Sequence, residues 1–431
     1  VDGTEMTDRL KTSTVAALAV VLGVVLLVTA ALWLGRTEPA TGRTVVGLRI
    51  WDPSFVAPYR ASLDEFERHN PDLQVRITVV PWASYQQKLR LDVAGGTADD
   101  LFWSNSYADY ADAGRLTDIG ALLGRDSVRQ WDPGAVAQYT RAGKLWAVPQ
   151  FVDGGTAVYY NRDLLAAAGV EPGELDRASW SPHGPDSFRP VLQRLAAVAP
   201  WAYNAGNDFQ SIELPYLGSA GGRFQDGDRY VFDSPAGVDG FGYLVSLVTA
   251  RLAPSAADTR SGSDFAKNAF LQGKLALFQS GSFNLEQIAE QARFGWGIAM
   301  IPAGPAGRVS TDNAIGIAAN AATAHPDAVR RVLAWLGSAA GNRYLAGNGQ
   351  TIPAVVSEQY RYREYWAHRG IDVAPFFDVL RGPRIESGGG PGFPAALQAM
   401  DSIFDEMFLG RIPVPEALRN ARSAAQAAAR R

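Results

Sequence analysis

Val46, Leu48 and Ile50 alternate with polar or small residues, the period of a strand. Tyr59, Leu63 and Phe66 then recur at helical spacing, and Asn70–Pro71 stops that helix. Leu73, Val75, Ile77 and Val79 alternate again. Trp82 to Ala94 predicts a second helix, Gly95–Gly96 its stop, and Leu101-Phe102-Trp103 a buried strand. Strands and helices taken in turn predict an α/β fold with a mainly parallel sheet flanked by helices. Ligands of such sheets bind beyond the carboxyl ends of the strands. Two of those ends carry Trp51-Asp52 and Trp103-Ser104-Asn105. Further helices are predicted over Pro326 to Leu336 and Pro415 to Arg431, and a loop over Ser387 to Gly392. Trp82, Trp131, Trp146, Trp296 and Trp335 are assigned to the core.

One segment breaks this pattern. Val15 to Leu34 is an uncharged apolar run of 20 residues. At about 1.5 Å per residue it would span roughly 30 Å, the hydrocarbon thickness of a bilayer. A buried soluble helix of that length would show polar positions on one face. The run therefore predicts a transmembrane anchor, with 1–14 a short tail and 35–43 a linker. The competing reading is a signal peptide cleaved near Ala31 or Gly42, although signal peptides have apolar runs of only about 7–15 residues. Arg9 and Lys11 precede the run, whereas Arg36 and Glu38 largely cancel behind it. That asymmetry places the body from Thr44 onward outside the cytoplasm.

Composition narrows the chemistry. With 431 residues, two or three domains are expected. A formal net charge of −4 gives no reason to expect nucleic acid. The absence of cysteine excludes disulfides, thiolate zinc, iron–sulfur clusters, a thiol nucleophile and a cysteine-linked lipid anchor. No Gly-x-Ser-x-Gly elbow occurs, and neither Gly143-Lys144 nor Gly273-Lys274 continues as a P-loop. The four histidines, His69, His183, His325 and His368, lie far apart, so no metal is expected. Paired carboxylates such as Asp99-Asp100 exist, but no pattern assigns them catalysis. Aromatic residues and short polar residues stand instead at strand ends. Aromatic faces stack on the C–H face of a sugar ring while carboxylates and amides take its hydroxyls, which suits a neutral polyol.

Several motifs in order resemble a known family. They are Phe66 to Val75, Pro81-Trp82 with Tyr85 to Leu89, Gly95 to Leu101, Ala113 to Asp118, Gly143 to Pro149 and Val158 to Leu165. Leu217 to Gly222, Phe270 to Ala276, Pro302 to Pro305, Asn348 to Pro353 and Gly410 to Leu418 also fit. Together they resemble the extracellular solute-binding proteins of ABC sugar importers, such as those for maltose, trehalose and amino sugars. The resemblance implies a two-lobed periplasmic-binding-protein clamp with a hinge and a central cleft. By analogy the chain crosses between lobes near Val152-Asp153, Gly262 and Gly316. One lobe would be 44–153 with 264–316, the other 154–263 with 317–431. It also implies a non-enzymatic subunit, without cofactor, that closes on a carbohydrate and docks on a permease served by an ATPase. It would work on the extracytoplasmic face of the membrane, held there by the N-terminal helix, or as a secreted form if cleaved. Many relatives are lipoproteins; the apolar run would replace their lipid tether.

The same resemblance implies the site. Trp51 and Asp52 match a first-strand end at the cleft, and Trp103 falls where members place a stacking aromatic, followed by Ser104 and Asn105. Asp153 occupies the hinge position, Asp208 the variable loop of the second lobe. Ser282-Phe283 replaces the usual Gly-Ser-Trp ending. Asn313 precedes the third crossing, and Arg384 resembles a late Arg of disaccharide-binding members. Two other readings stay open: an envelope glycosidase using Asp52 and Asp153, and a receptor for glycerophosphodiesters. The carboxylates favour a neutral sugar, mono- to oligosaccharide, or an amino sugar paired with Asp153 or Asp208.

Overall fold

The computed structural model describes residues 42–430 apart from 153–154, 207, 260–261, 263 and 391. The apolar run 15–34 and Asp153 lie outside the described residues. Among the described residues no helix is long and apolar enough to cross a membrane.

β1 (Thr44–Ile50) buries Val46, Leu48 and Ile50 completely. α1 (Val56–His69) follows with Tyr59, Leu63 and Phe66 buried, and the chain turns at Asn70–Pro71 into β2 (Leu73–Val79). β2 runs parallel to β1 from Thr44 opposite Leu73 to Ile50 opposite Val79. α2 (Trp82–Gly95) ends on Gly96 at a φ of 70°, and β3 (Leu101–Ser104) pairs parallel with the other side of β1. These elements follow the expected periodicities. Arg49, buried in β1, is held by Asp99 and Asp92 at 2.7 Å each, and Asp100 accepts the Gly47 N–H at 2.9 Å. The Asp99-Asp100 pair is thus spent on the first lobe's framework.

β4 (Val148–Val152) belongs to the same sheet. Across the first crossing, β5 (Thr156–Asn161) begins a second one. α3 (Phe188–Ala196), β6 (Trp201–Tyr203), α4 (Pro235–Thr249), β7 (Leu275–Gly281), α5 (Leu285–Gln291) and β8 (Trp296–Ala299) follow. Its strand order is β8-β5-β7-β6, with β7 antiparallel to β5 and parallel to β6. β9 (Ser310–Asp312) leads to β10 (Ala314–Ala319), which returns to the first sheet antiparallel to both β3 and β4. α6 (Pro326–Leu336) and α7 (Ala339–Ala346) precede β11 (Ile352–Pro353), the edge strand beside β4. α8 (Gln359–Ala367) packs with α7 and β11, and α9 (Ala374–Leu380) with β5 of the other lobe. β12 (Arg384–Glu386) pairs with β9, then α10 (Phe393–Phe408) and α11 (Val414–Ala428) pack on α4.

The first sheet has the order β11-β4-β10-β3-β1-β2. It is mixed rather than mainly parallel, because β10 and β11 run against the others. The lobe boundaries also need correction. Segment 264–316, expected in the first lobe, supplies β7 and β8 to the second, and the chain after 317 first completes the first lobe with α6, α7 and β11. The second crossing lies between β9 and β10 and the third between α8 and α9. Strand–helix alternation looks alike in both lobes, so only pairing partners decide which sheet a strand joins.

Candidate ligand-binding cleft

Each sheet ends at the crossings, and the candidate residues stand on these ends. Trp51 and Asp52 leave β1, both half-buried. Asp52 caps the turn Pro53–Phe55: its Oδ1 accepts the Ser54 N–H at 2.9 Å and the Ser54 hydroxyl at 2.6 Å. The Gln350 side-chain amide also donates to Ser54 Oγ, which ties the approach to β11 against this turn. Beside them, Ser104 ends β3 with its Oγ buried and unpaired among the described residues. Its carbonyl accepts the Tyr139 hydroxyl at 2.6 Å, and the same hydroxyl reaches the Ala314 carbonyl at 2.8 Å. Asn313, buried at the second crossing, is thereby held next to Ser104. Asn105 is half-buried and accepts Gln86 Nε2 at 3.3 Å.

Trp103 is corrected by its burial. Its side chain is fully enclosed, Nε1 donates to Tyr59 Oη at 3.0 Å, and Trp51, Phe55 and Phe151 surround the indole at 4.7, 5.1 and 5.3 Å. It carries Trp51 from below and presents no face to a solute. Trp82 departs from expectation in the opposite sense: assigned to the core, it is 52% exposed and packs on Trp51 at 5.2 Å.

The second lobe contributes Ser282, buried with its Oγ unpaired among the described residues, and Phe283, 45% exposed. Both follow β7, whose last residue Gly281 pairs with Thr156 just past the first crossing. One turn on, the Glu286 carboxyl is raised above its ordinary range, first by burial, then by the charges of Glu290 and Asp52.

Asp208 caps the turn Phe209–Glu213, accepting the Ser211 N–H at 2.8 Å. Burial pushes its carboxyl up to about 6 against the opposing pull of the Ser211 and Gln210 donors. Arg384 bonds the Leu380 carbonyl at 3.0 Å and Asp132 at 3.3 Å, so its guanidinium joins β12 to the first lobe. Thr351, just before β11 and opposite the first crossing, is a residue the sequence analysis missed; its Oγ1 is buried and unpaired among the described residues. Glu286 was missed as well. Neither carries a sequence signal, because a lone Thr before Ile-Pro and a Glu in a helix look like any polar residue that faces water. A groove of about 560 Å³ on the second lobe, between α3 and α4, contains none of the candidate residues.

Buried hydroxyls without partners are costly unless something else meets them. Ser104, Thr351 and Ser282 are three such groups, brought by both lobes to the strand ends at the crossings. This architecture has counterparts. The model of a family described as bacterial extracellular solute-binding protein matches residues 52–343. The chain belongs to the bacterial extracellular solute-binding proteins. UspC of M. tuberculosis is 50% identical, with a TM-score of 0.78 over 89% of this chain and 100% of that one. The GacH receptor of Streptomyces glaucescens, solved unliganded and with acarbose, has a TM-score of 0.75 over 90% and 99% of the two chains at 24% identity, a likeness of fold. The lactose-binding protein of Rhizobium radiobacter is 28% identical over 157 residues, 35% of this chain and 36% of that protein. A binding protein of Brucella abortus is 26% identical over 57% of this chain, and the alignment spans 60% of that relative's length. As in other solute-binding proteins, two α/β lobes here flank a cleft; the sequence resemblance to sugar-importer receptors agrees with this membership.

Proposed function

We propose that this solute-binding protein captures a carbohydrate, from monosaccharide to oligosaccharide and including amino sugars, and delivers it to the permease of an ABC importer. The observation that carries the reading is the set of buried hydroxyls without partners among the described residues, Ser104, Thr351 and Ser282, at the strand ends and crossings that also carry Asp52, Trp51 and Phe283. Hydroxyls and carboxylates pair with sugar hydroxyls as donors and acceptors, and the aromatics take the apolar ring face. Asn105, Asp153, Asp208 and Asn313 complete the proposed set. Arg384 and Trp103 act as supports. Proteins of like fold have been solved with acarbose or maltose bound.

Binding work is done by closure. A solute held by both lobes stabilises the closed form, and that form engages the permease. The chain itself needs no catalytic group or cofactor. A glycosidase would require Asp52 as acid or nucleophile, but Asp52 already accepts two bonds from Ser54. A glycerophosphodiester would call for converging cations, whereas the proposed set carries the carboxylates of Asp52, Asp153 and Asp208. We further propose that segment 15–34 holds the protein at the extracytoplasmic face of the membrane.

The test is a thermal-shift screen of the chain from Thr44 against plain sugars, amino sugars and glycerophosphodiesters. A sugar at a hundred times its dissociation constant should stabilise by about 2.7 kcal/mol. A shift with glycerophosphodiesters and none with any sugar would overturn the proposal.

A further inference from the structure

The second lobe carries a groove of about 560 Å³ between α3 and α4, lined by none of the candidate cleft residues. α4 contains three glycines, and a glycine inside a helix weakens it relative to alanine. Two of the three are needed for packing. A Cβ on Gly237 would stand 1.8 Å from the Phe232 carbonyl oxygen, and one on Gly240 2.8 Å from that of Tyr216. At Gly242, which lines the groove, a Cβ would meet no atom within 4 Å. No packing among the described residues calls for a glycine there. What the missing side chain supplies is open space in the wall of the groove.

Charges of opposite sign stand at its two ends. At one, Asp239 of α4 bonds the largely exposed His183 ring through Oδ1 alone, at 2.9 Å. At the other, Arg189 of α3 donates to Ser246 Oγ at 2.6 Å. Asp186 Oδ2 lies 3.5 Å from Arg189 Nε, but that carboxylate is committed to the fold. Its Oδ1 accepts the Phe188 and Arg189 N–H groups at 3.0 and 2.9 Å, and its Oδ2 the Tyr243 hydroxyl at 2.8 Å. Asp239 and Ser246 share a face of α4 two turns apart, about 10 Å at roughly 1.5 Å per residue. Val238, Gly242 and Pro190 line the apolar stretch of the groove, and Gln193 is exposed one turn beyond Arg189. Tyr243 is only 3% exposed, packed on Trp180 at 4.8 Å and under the Arg189 guanidinium at 5.0 Å. The groove thus offers a sugar ring no open tyrosine face.

We propose that this groove is a second binding site, separate from the interlobe cleft, for short zwitterionic peptides of about three residues. An extended tripeptide spans about 10 Å, which matches the separation of the two charged ends. Its ammonium pairs with Asp239, whose exposed tie to His183 is weak enough to be shared. Its carboxylate meets the Arg189 guanidinium, and the Gln193 amide takes a peptide group. An apolar middle side chain fills the space left by Gly242. The site stands whether or not the cleft takes a carbohydrate.

Titration calorimetry of the full chain with the tripeptide Ala-Leu-Ala tests it, beside the same peptide acetylated at its amino end or amidated at its carboxyl end. The wild type should bind the free peptide with a dissociation constant of about 1 mM or tighter. Either block should weaken binding about tenfold, the worth of one charge-assisted contact. Asp239→Asn should weaken the free peptide about tenfold and the acetylated one no further, because both changes remove the same pair. Gly242→Leu should fill the groove and abolish binding, while its melting temperature stays at or above that of the wild type, since leucine is the better helix former. Three results would each overturn the site: no binding by the wild type at about ten times that concentration, undiminished binding by Gly242→Leu, or equal affinity for free and blocked peptides.

Discussion

At Trp103 the strand end and the family pattern both point to a solute contact, yet the indole is enclosed by Trp51, Phe55, Tyr59 and Phe151. Its loss would open a large cavity beneath Trp51. Trp103→Ala should cost about 3–5 kcal/mol of stability, read as a lower midpoint in urea unfolding. Unaltered stability with lost binding would show instead that the indole meets the ligand. Asp208 offers a second test. Its folded-state value of about 6 lies above the ordinary 3.8, so the folded protein holds that proton more tightly than the unfolded chain. Its contribution is full below the ordinary value and is lost as pH rises through about 6. The melting temperature of the wild type should therefore fall between pH 4 and 6 relative to Asp208→Asn, which keeps a capping oxygen but does not titrate. Parallel pH profiles for the two proteins would refute the shift.

At the scale of elements, β10 depends on a close approach. A Cβ on Gly316 would stand 2.9 Å from both the Tyr139 ring and Ala147, where β10 crosses between β3 and β4. Tyr139 cannot retreat, because its hydroxyl bridges the Ser104 and Ala314 carbonyls. Gly316→Ala should destabilise by about 1–3 kcal/mol, measured by chemical denaturation, through overpacking of a strand that holds Asn313 and Ser104 together. Gly155 has a comparable task at the first crossing, where a Cβ would lie 2.5 Å from the Phe376 carbonyl oxygen of α9. The elements were readable because their periods are local. β1, α1, β2, α2 and β3 each repeat apolar residues at their own spacing, and each appears where that spacing places it. Trp82 was misread for the same reason: it shares a helical face with buried Tyr85 and Leu89, but the helix begins at the sheet's edge and its first residue overhangs.

Over the whole molecule, polar ties join the lobes. Arg141 binds Asp112 of its own lobe at 3.0 Å and reaches Asp228 of the other at 3.7 Å. The Gly392 N–H donates to Asp109 Oδ1 at 2.9 Å, and Arg384 bonds Asp132 at 3.3 Å. Exposed ion pairs are worth up to about 1 kcal/mol, enough to bias a hinge equilibrium severalfold. Arg141→Ala should shift the unliganded protein toward the open form, seen as a larger radius of gyration in small-angle scattering. Its apparent ligand affinity should fall severalfold with it. An unchanged scattering profile would show that the tie does not hold the lobes.

Local periodicity and turn chemistry, carried by Val46 to Ile50, Tyr59 to Phe66 and the Asn70–Pro71 stop, specify the elements and the α/β class without reference to distant residues. The order of motifs from Phe66 to Leu418 likewise marks the family. Which lobe receives β7 and β8, and which side of Trp51 meets solvent, depends on contacts between residues far apart in the chain. Strand pairing across more than a hundred residues placed β7 and β8 in the second lobe. Burial enclosed Trp103 and left Trp82 in water, although both are tryptophans beside strands of the same sheet. The unpaired hydroxyls of Ser104, Thr351 and Ser282 became visible in the same way, since a hydroxyl's want of a partner is a property of the packed interior and not of the residue that bears it.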